Sequence, residues 1–168
     1  MRNIAARFWP KTKKWLKRIA YTCIILVALF FILNWIFPVP VNQQYSTIIA
    51  DQSGEVVHAF LTPDEKWRMK TELDEISPLL RKTIVQKEDR YFYSHPGINI
   101  FAVGRAMVKN ILRMKRTSGA STITMQVARL LEPRRRTWLN KCIEMFRALQ
   151  LEWKYSKDEI LQLYLNHV

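Results

Sequence analysis

Glu88-Asp89-Arg90-Tyr91-Phe92-Tyr93-Ser94-His95-Pro96-Gly97-Ile98 places a carboxylate at the end of a predicted helix, ahead of an aromatic run and a tight turn. The helix starts at Ser77-Pro78, a capping residue followed by proline at the first helical position. Leu80, Ile84 and Val85 share one face of it, and Glu88 follows the last two at i+4 and i+3, which sets its carboxylate beside apolar neighbours. A carboxylate held against apolar surroundings suits acid or base work near neutral pH. An ordinary exposed glutamate paired with Arg90 satisfies the same spacing, and a turn after a helix is common, so spacing alone leaves both readings standing.

Downstream the pattern stays helical. A helix is predicted from Ile100 to Leu112, a polar stretch containing Gly119 separates it from the next, and that one starts near Ser121 and ends at Pro133. In it Ile123, Val127, Leu130 and Leu131 form the expected buried stripe, while Thr122, Gln126 and Arg129 recur at i, i+4 and i+7 on another face. A further helix covers about Leu139 to Tyr155, and Ser156 with Glu159 makes a capping box for the last one, inside which the chain is expected to stop. Glu144 shares a face with Ala148 and Leu151, against which an exposed i, i+3 pair with Lys141 is the simpler account. Trp138, Trp153, Tyr155 and Tyr164 are assigned to packing.

Upstream, Ser46 to Ala50 and Glu55 to Phe60 flank Asp51-Gln52-Ser53-Gly54 and predict a β-hairpin. Nothing after residue 60 reads as a strand. The outer part of the chain is therefore expected to be mainly α.

Lys and Arg outnumber Asp and Glu 27 to 14. Seven of the cations (Arg2, Arg7, Lys11, Lys13, Lys14, Lys17, Arg18) precede residue 19 with no acid among them. Ile19 to Phe37 then carries no charge, and a helix of that length spans roughly 28 Å, enough to cross a bilayer core. The basic block sets the N-terminus in the cytoplasm and residues 39 onward outside. The rivals are a buried core helix and a cleaved signal peptide, whose apolar region is normally about 7–15 residues long and followed by small residues; Asn34-Trp35-Ile36-Phe37-Pro38 offers none. Pro38-Val39-Pro40 ends the span. The expected organisation is a cytoplasmic tail over 1–18, an anchor over 19–37, a linker with the hairpin over 38–76 and a helical domain over 77–168.

Cys23 lies in the span and Cys142 far beyond it, so no internal disulfide is expected, and the scattered His58, His95 and His167 match no zinc spacing. Between Arg105 and Lys141 ten basic residues face one acid, Glu132. Such a block calls for an anionic partner: nucleic acid, lipid head groups or a phosphate-bearing substrate. Nucleic acid is disfavoured because the block lies outside the membrane; lipid head groups compete with the phosphate substrate.

Four segments together resemble the peptidoglycan glycosyltransferase domain, glycosyltransferase family 51, of class A penicillin-binding proteins and monofunctional transglycosylases. The motif EDxxFxxHxG is met by Glu88, Asp89, Phe92, His95 and Gly97, and GxSTITxQ by Gly119, Ser121 to Thr124 and Gln126. RKxxE is met at Lys141 and Glu144, with Asn140 in place of the arginine, and KxEILxxYLN is complete from Lys157 to Asn166. Met125 to Arg129 and the element Lys66-Trp67-Arg68 resemble the penicillin-binding protein 1C branch in particular.

The resemblance implies a lysozyme-like α fold, C-terminally truncated because the chain ends before the fifth motif and before any transpeptidase domain. It implies polymerisation of lipid II at the outer, periplasmic face of the bacterial cytoplasmic (inner) membrane, with inversion and release of undecaprenyl pyrophosphate. Glu88 would be the general base, deprotonating the acceptor sugar's 4-hydroxyl, and Glu144 the second carboxylate, assisting near the pyrophosphate or a divalent cation, Mg or Mn. Gln126, Arg129, Arg136 and Lys141 stand where the family binds the pyrophosphate, and Ser121 and Thr122 line the same cleft. Two other classes compete: a noncatalytic anchored module binding lipid II or a cell-wall synthesis partner, and a muramidase-like hydrolase with Glu88 as acid, which the basic block disfavours.

Overall fold

A computed structural model describes residues 5–41, 44–113 and 121–168. The chain divides after Val39 into two units. The first is one helix, α1 (Ala5–Ile36), in which the residues read as a basic tail and as an anchor are continuous. Its stretch Lys14–Ile36 is long and apolar enough to cross a membrane, with mean hydropathy 2.4.

The second unit opens with the hairpin. Strands β1 (Ile48–Ala50) and β2 (Val56–Ala59) pair antiparallel, Ile48 opposite Ala59 and Ile49 opposite His58. The turn is built locally: Asp51 Oδ1 accepts the backbone N–H groups of Ser53 and Glu55 at 2.9 Å each, and Gly54 takes a φ of +86°. The Lys66-Trp67-Arg68 element closes back on the strand's approach, with the Ser46 and Arg68 backbones bonded and the Arg68 guanidinium clasping Asp64 through two N–H groups at 2.8 and 2.7 Å. Those bonds hold the Asp64 carboxyl well below the ordinary carboxylate range.

Among the described residues five helices follow: α2 (Pro78–Glu88), α3 (Ile100–Arg113), α4 (Ile123–Leu131), α5 (Trp138–Lys154) and α6 (Lys157–Leu165). Single 3₁₀ turns lie at Leu73–Glu75 and Phe92–Ser94. Helix α4 is the centre, packed on α5 and α6. Phe92, Ile123, Met125, Val127, Ala148, Leu151, Ile160 and Leu161 are closed from solvent, each large side chain contributing about 1.5–3 kcal/mol by burial.

Several expectations are corrected. Ser77 occupies the cap position of α2 without a side-chain cap bond, its carbonyl accepting from Arg81 instead. No residue of α2 is buried, so Glu88 is exposed and lacks the apolar enclosure its spacing suggested. Leu130 and Leu131 are only half-buried, and Thr124, Met125 and Ala128 join Ile123 and Val127 in the core, because a helix packed on two neighbours buries a wider arc than one stripe. Trp138 and Trp153 are exposed, at 77% and 65%, where packing was assigned; Tyr164 is buried as expected. The last helix closes at Leu165 with Asn166 as its C-cap, before the chain stops. The Ser156–Glu159 capping box forms with both bonds in place. Cys23 and Cys142 are free thiols. Gly119, Lys115 and Arg116 lie outside the described residues.

Candidate active site

Motif one is tied to motif two through Asp89, which is 7% exposed. Its Oδ2 accepts the backbone N–H of Ile123, the first residue of α4, at 3.1 Å, and both carboxylate oxygens contact His95 Nε2 at 3.0 and 3.1 Å. A carboxylate on that nitrogen places the imidazole proton there, and His95 Nδ1 is buried without a partner. Thr122 caps α4 by accepting from Met125 N–H at 3.2 Å and donates its hydroxyl proton to the Gly97 carbonyl. Thr122 is thus buried, with both of these bonds made to backbone.

Motif four closes the same frame. Lys157 Nζ donates to the His95 carbonyl and to Glu152 Oε1, both at 2.7 Å, and lies 4.6 Å from the centroid of the Phe92 ring. Glu152 Oε1 also accepts the Thr124 hydroxyl. Asn166 accepts the Thr71 N–H and donates to the Thr71 carbonyl, each at 3.0 Å, pinning the linker to α6.

Around this frame two polar groups converge on α4. At its first turns Gln126 Nε2 donates to Glu88 Oε2 at 3.2 Å, while the hydroxyl of Tyr164, a buried residue, lies 3.5 Å from Gln126 Oε1. Burial lifts the Tyr164 phenol above its ordinary value, the Glu88 charge adds to the rise, and the Arg129 guanidinium opposes it. Glu88, Gln126, Arg129 and Tyr164 therefore share one neighbourhood. Ahead of the helix, Lys141 Nζ donates to Ser121 Oγ and to Glu144 Oε1, both at 2.7 Å. The Lys141–Glu144 pair forms, yet Glu144 is not an exposed partner: its side chain is 11% exposed, on the face of the closed Ala148 and Leu151.

The cation block is partly self-neutralised. Glu132 receives Arg147 Nε at 3.0 Å and pairs with Arg134, and Arg147 reaches on to Gln150 Oε1 at 2.9 Å. Burial acts to raise the Glu132 carboxyl, but the Arg134 and Arg147 interactions together outweigh it and hold it low. Arg136 stands exposed on the loop between α4 and α5. No ion pair among the described residues joins Glu88 to Arg90, whose guanidinium lies 5.9 Å from the Tyr91 ring centroid. Nor does any group of three or more His, Cys, Asp or Glu converge as metal ligands among the described residues, and Glu144 Oε1 already faces an ammonium. The described residues thus offer no cluster of protein ligands for a divalent cation.

Residues 53–168 match the transglycosylase family. The chain belongs to that family. It is 39% identical over 143 residues to penicillin-binding protein 1C of Escherichia coli (strain K12), covering 82% of this chain and 19% of that protein. Penicillin-binding protein 1F of Bacillus subtilis (strain 168) is 37% identical over 124 residues, 73% of this chain and 17% of the relative. Penicillin-binding protein 1B of Escherichia coli (strain K12) is 36% identical over 128 residues, 76% and 15%. The transglycosylase chain thus spans less than a fifth of the length of these relatives. The matched region carries the mainly helical, lysozyme-like fold of a class A penicillin-binding protein glycosyltransferase domain.

The family motifs had marked Asp89, His95, Gly97 and Lys157 without giving them roles. The Arg147–Glu132, Glu152–Thr124 and Asn166–Thr71 pairs left no signal in spacing, because their members are distant in the chain. Tyr164 was read as packing alone; a phenol in a core still has to place its hydroxyl, which was the available hint.

Proposed function

We propose that the chain is a peptidoglycan glycosyltransferase unit, anchored in the cytoplasmic membrane by α1, that polymerises lipid II on the outer face. The observation that carries the reading is Glu88: it is exposed, one carboxylate oxygen is held by Gln126, and the other has no partner among the described residues. Oε1 takes the proton of the acceptor sugar's 4-hydroxyl as that oxygen attacks the anomeric carbon of the lipid-linked donor. The carbon–oxygen bond to the pyrophosphate breaks, the configuration inverts, and undecaprenyl pyrophosphate leaves.

Charge develops on the departing pyrophosphate, and cations already in place lower that barrier most. Lys141, Arg129 and Arg136 serve there. Glu144 acts through Lys141: with Ser121 it fixes the ammonium, which keeps a third N–H for a phosphate oxygen. A divalent cation at the pyrophosphate would be bound by phosphate oxygens and water rather than by a protein cage. Helix α3 supports work at a lipid surface, since Phe101, Val108 and Leu112 are exposed beside Arg105, Lys109 and Arg113.

The test is polymerisation of labelled lipid II by the detergent-solubilised chain beside Glu88→Gln. Product from the parent and none from the variant is expected. A lack of product from both, with lipid II still bound, favours the noncatalytic binding module; product from both removes Glu88 as base.

A further inference from the structure

Gln126 was placed among the pyrophosphate-binding residues, yet both ends of its amide are turned toward Glu88 and Tyr164. Nε2 faces Glu88 Oε2 at 3.2 Å and Oε1 faces the Tyr164 hydroxyl at 3.5 Å. An amide can be rotated by half a turn at little steric cost, so what sits at each end decides its orientation. A carboxylate can only accept, and it repels Oε1. A hydroxyl partly withdrawn from water favours an acceptor, and Gln126 Oε1 is the one within reach of Tyr164 among the described residues. Both demands select the same rotamer.

We propose that Tyr164 and Gln126 are positioning residues for Glu88: the phenol locks the amide so that its N–H restrains one carboxylate oxygen and leaves the other aimed at the acceptor. This rests on Glu88 being the base. The phenol is anchored by the body of Tyr164, a residue 6% exposed at the packed α4–α6 contact, whereas Glu88 is exposed at the end of α2, none of whose residues is buried. Rigidity is therefore lent from the core to an exposed carboxylate through one amide. A free carboxylate would sample several rotamers and spend part of its time misaligned, and general-base catalysis depends on that alignment. Arg129, which the Tyr164 hydroxyl also senses, lies on the same face of α4 one turn further on and completes the cluster.

The test uses the full chain in detergent micelles with two readouts. In the first, the side-chain amide resonances of Gln126 are followed by NMR as pH is lowered through the carboxylate range. They are expected to move in the parent, to stop responding in Glu88→Gln, and to lose at least about half of the response in Tyr164→Phe as the amide is released. Core methyl resonances confirm that Tyr164→Phe, which removes one hydroxyl and keeps the ring, retains the fold. In the second, Tyr164→Phe and Gln126→Met lower kcat for lipid II polymerisation about 10-fold with KM within about twofold. A full-size amide response in Tyr164→Phe overturns the proposal, as does an effect confined to KM. Turnover by Glu88→Gln instead overturns the assignment of the base, and the amide response then still decides whether the phenol orients Gln126.

Discussion

Asp89 Oδ2 lies 3.1 Å from the backbone nitrogen of Ile123, so the residue next to Glu88 accepts from the N-terminus of a helix 34 positions downstream. Two adjacent acids thus have opposite situations. Asp89 is buried and satisfied, and its negative charge suits a helix N-terminus, while Glu88 is exposed with an oxygen to spare.

That contrast predicts a split between stability and activity. Asp89→Asn puts an amide donor against either His95 Nε2–H or the Ile123 N–H and is expected to cost about 2 kcal/mol, read as a lower thermal midpoint by circular dichroism. Glu88→Gln should stay within about 0.5 kcal/mol of the parent. Equal loss in the two variants would contradict the division of roles.

Gly97 is required for space and for backbone. Its φ is +79°, and a Cβ there would come within 2.7 Å of Glu152 Cγ and 3.1 Å of the Ala148 carbonyl oxygen. Gly97→Ala should destabilise by about 2 kcal/mol or more, since the left-handed conformation alone costs about 1–2 kcal/mol. Urea unfolding measures this, and an unchanged midpoint would show that α5 yields there.

The paired bonds between Asn166 and Thr71 are expected to govern how firmly the linker is held on α6. Asn166→Ala should speed exchange of the Thr71 amide by about tenfold or more, the equivalent of one lost bond of about 1.4 kcal/mol, with little change at amides in the middle of α4. Exchange at the parent rate would mean that Gln162 and Glu72, joined at 2.6 Å, suffice.

Glu132 gives a pH dependence. Its carboxyl is held below the ordinary value in the folded chain, so it binds a proton more weakly folded than unfolded. Its contribution is complete above the ordinary carboxylate range, near pH 4.3, and is lost as pH falls through the lower folded value. The stability gap between parent and Glu132→Gln should therefore be widest near neutrality and close in acid. A gap that widens on acidification would reverse the assignment.

The helices, the hairpin turn and the Ser156–Glu159 capping box were legible because each depends on residues three or four apart, or on one proline or glycine. The same local pattern misplaced Glu88. Leu80, Ile84 and Val85 do share a face, but Leu80 is exposed and Ile84 and Val85 are only half-buried, and periodicity says nothing about how far a face is covered. Likewise the Lys141–Glu144 spacing announced a pair and concealed that Glu144 packs inward beside Ala148 and Leu151. Trp138 and Trp153 misled in the other direction, since large aromatic residues are highly buried on average and these two are exposed.

By itself the sequence determined the transmembrane-length apolar helix, the order of helical segments, the excess of cations ahead of α5 and the motif residues that mark the family. These are properties of short windows, governed by backbone geometry, capping and solvation of single segments. Only the tertiary structure decided that Asp89 accepts the first N–H of α4, that Lys157 and Glu152 weld His95 to Thr124, and that the Gln126 amide lies between Glu88 and Tyr164. Those contacts join residues far apart in the chain, and which of them form depends on how α4 packs between α5 and α6, a choice made by burial and by the need to satisfy every buried polar group together.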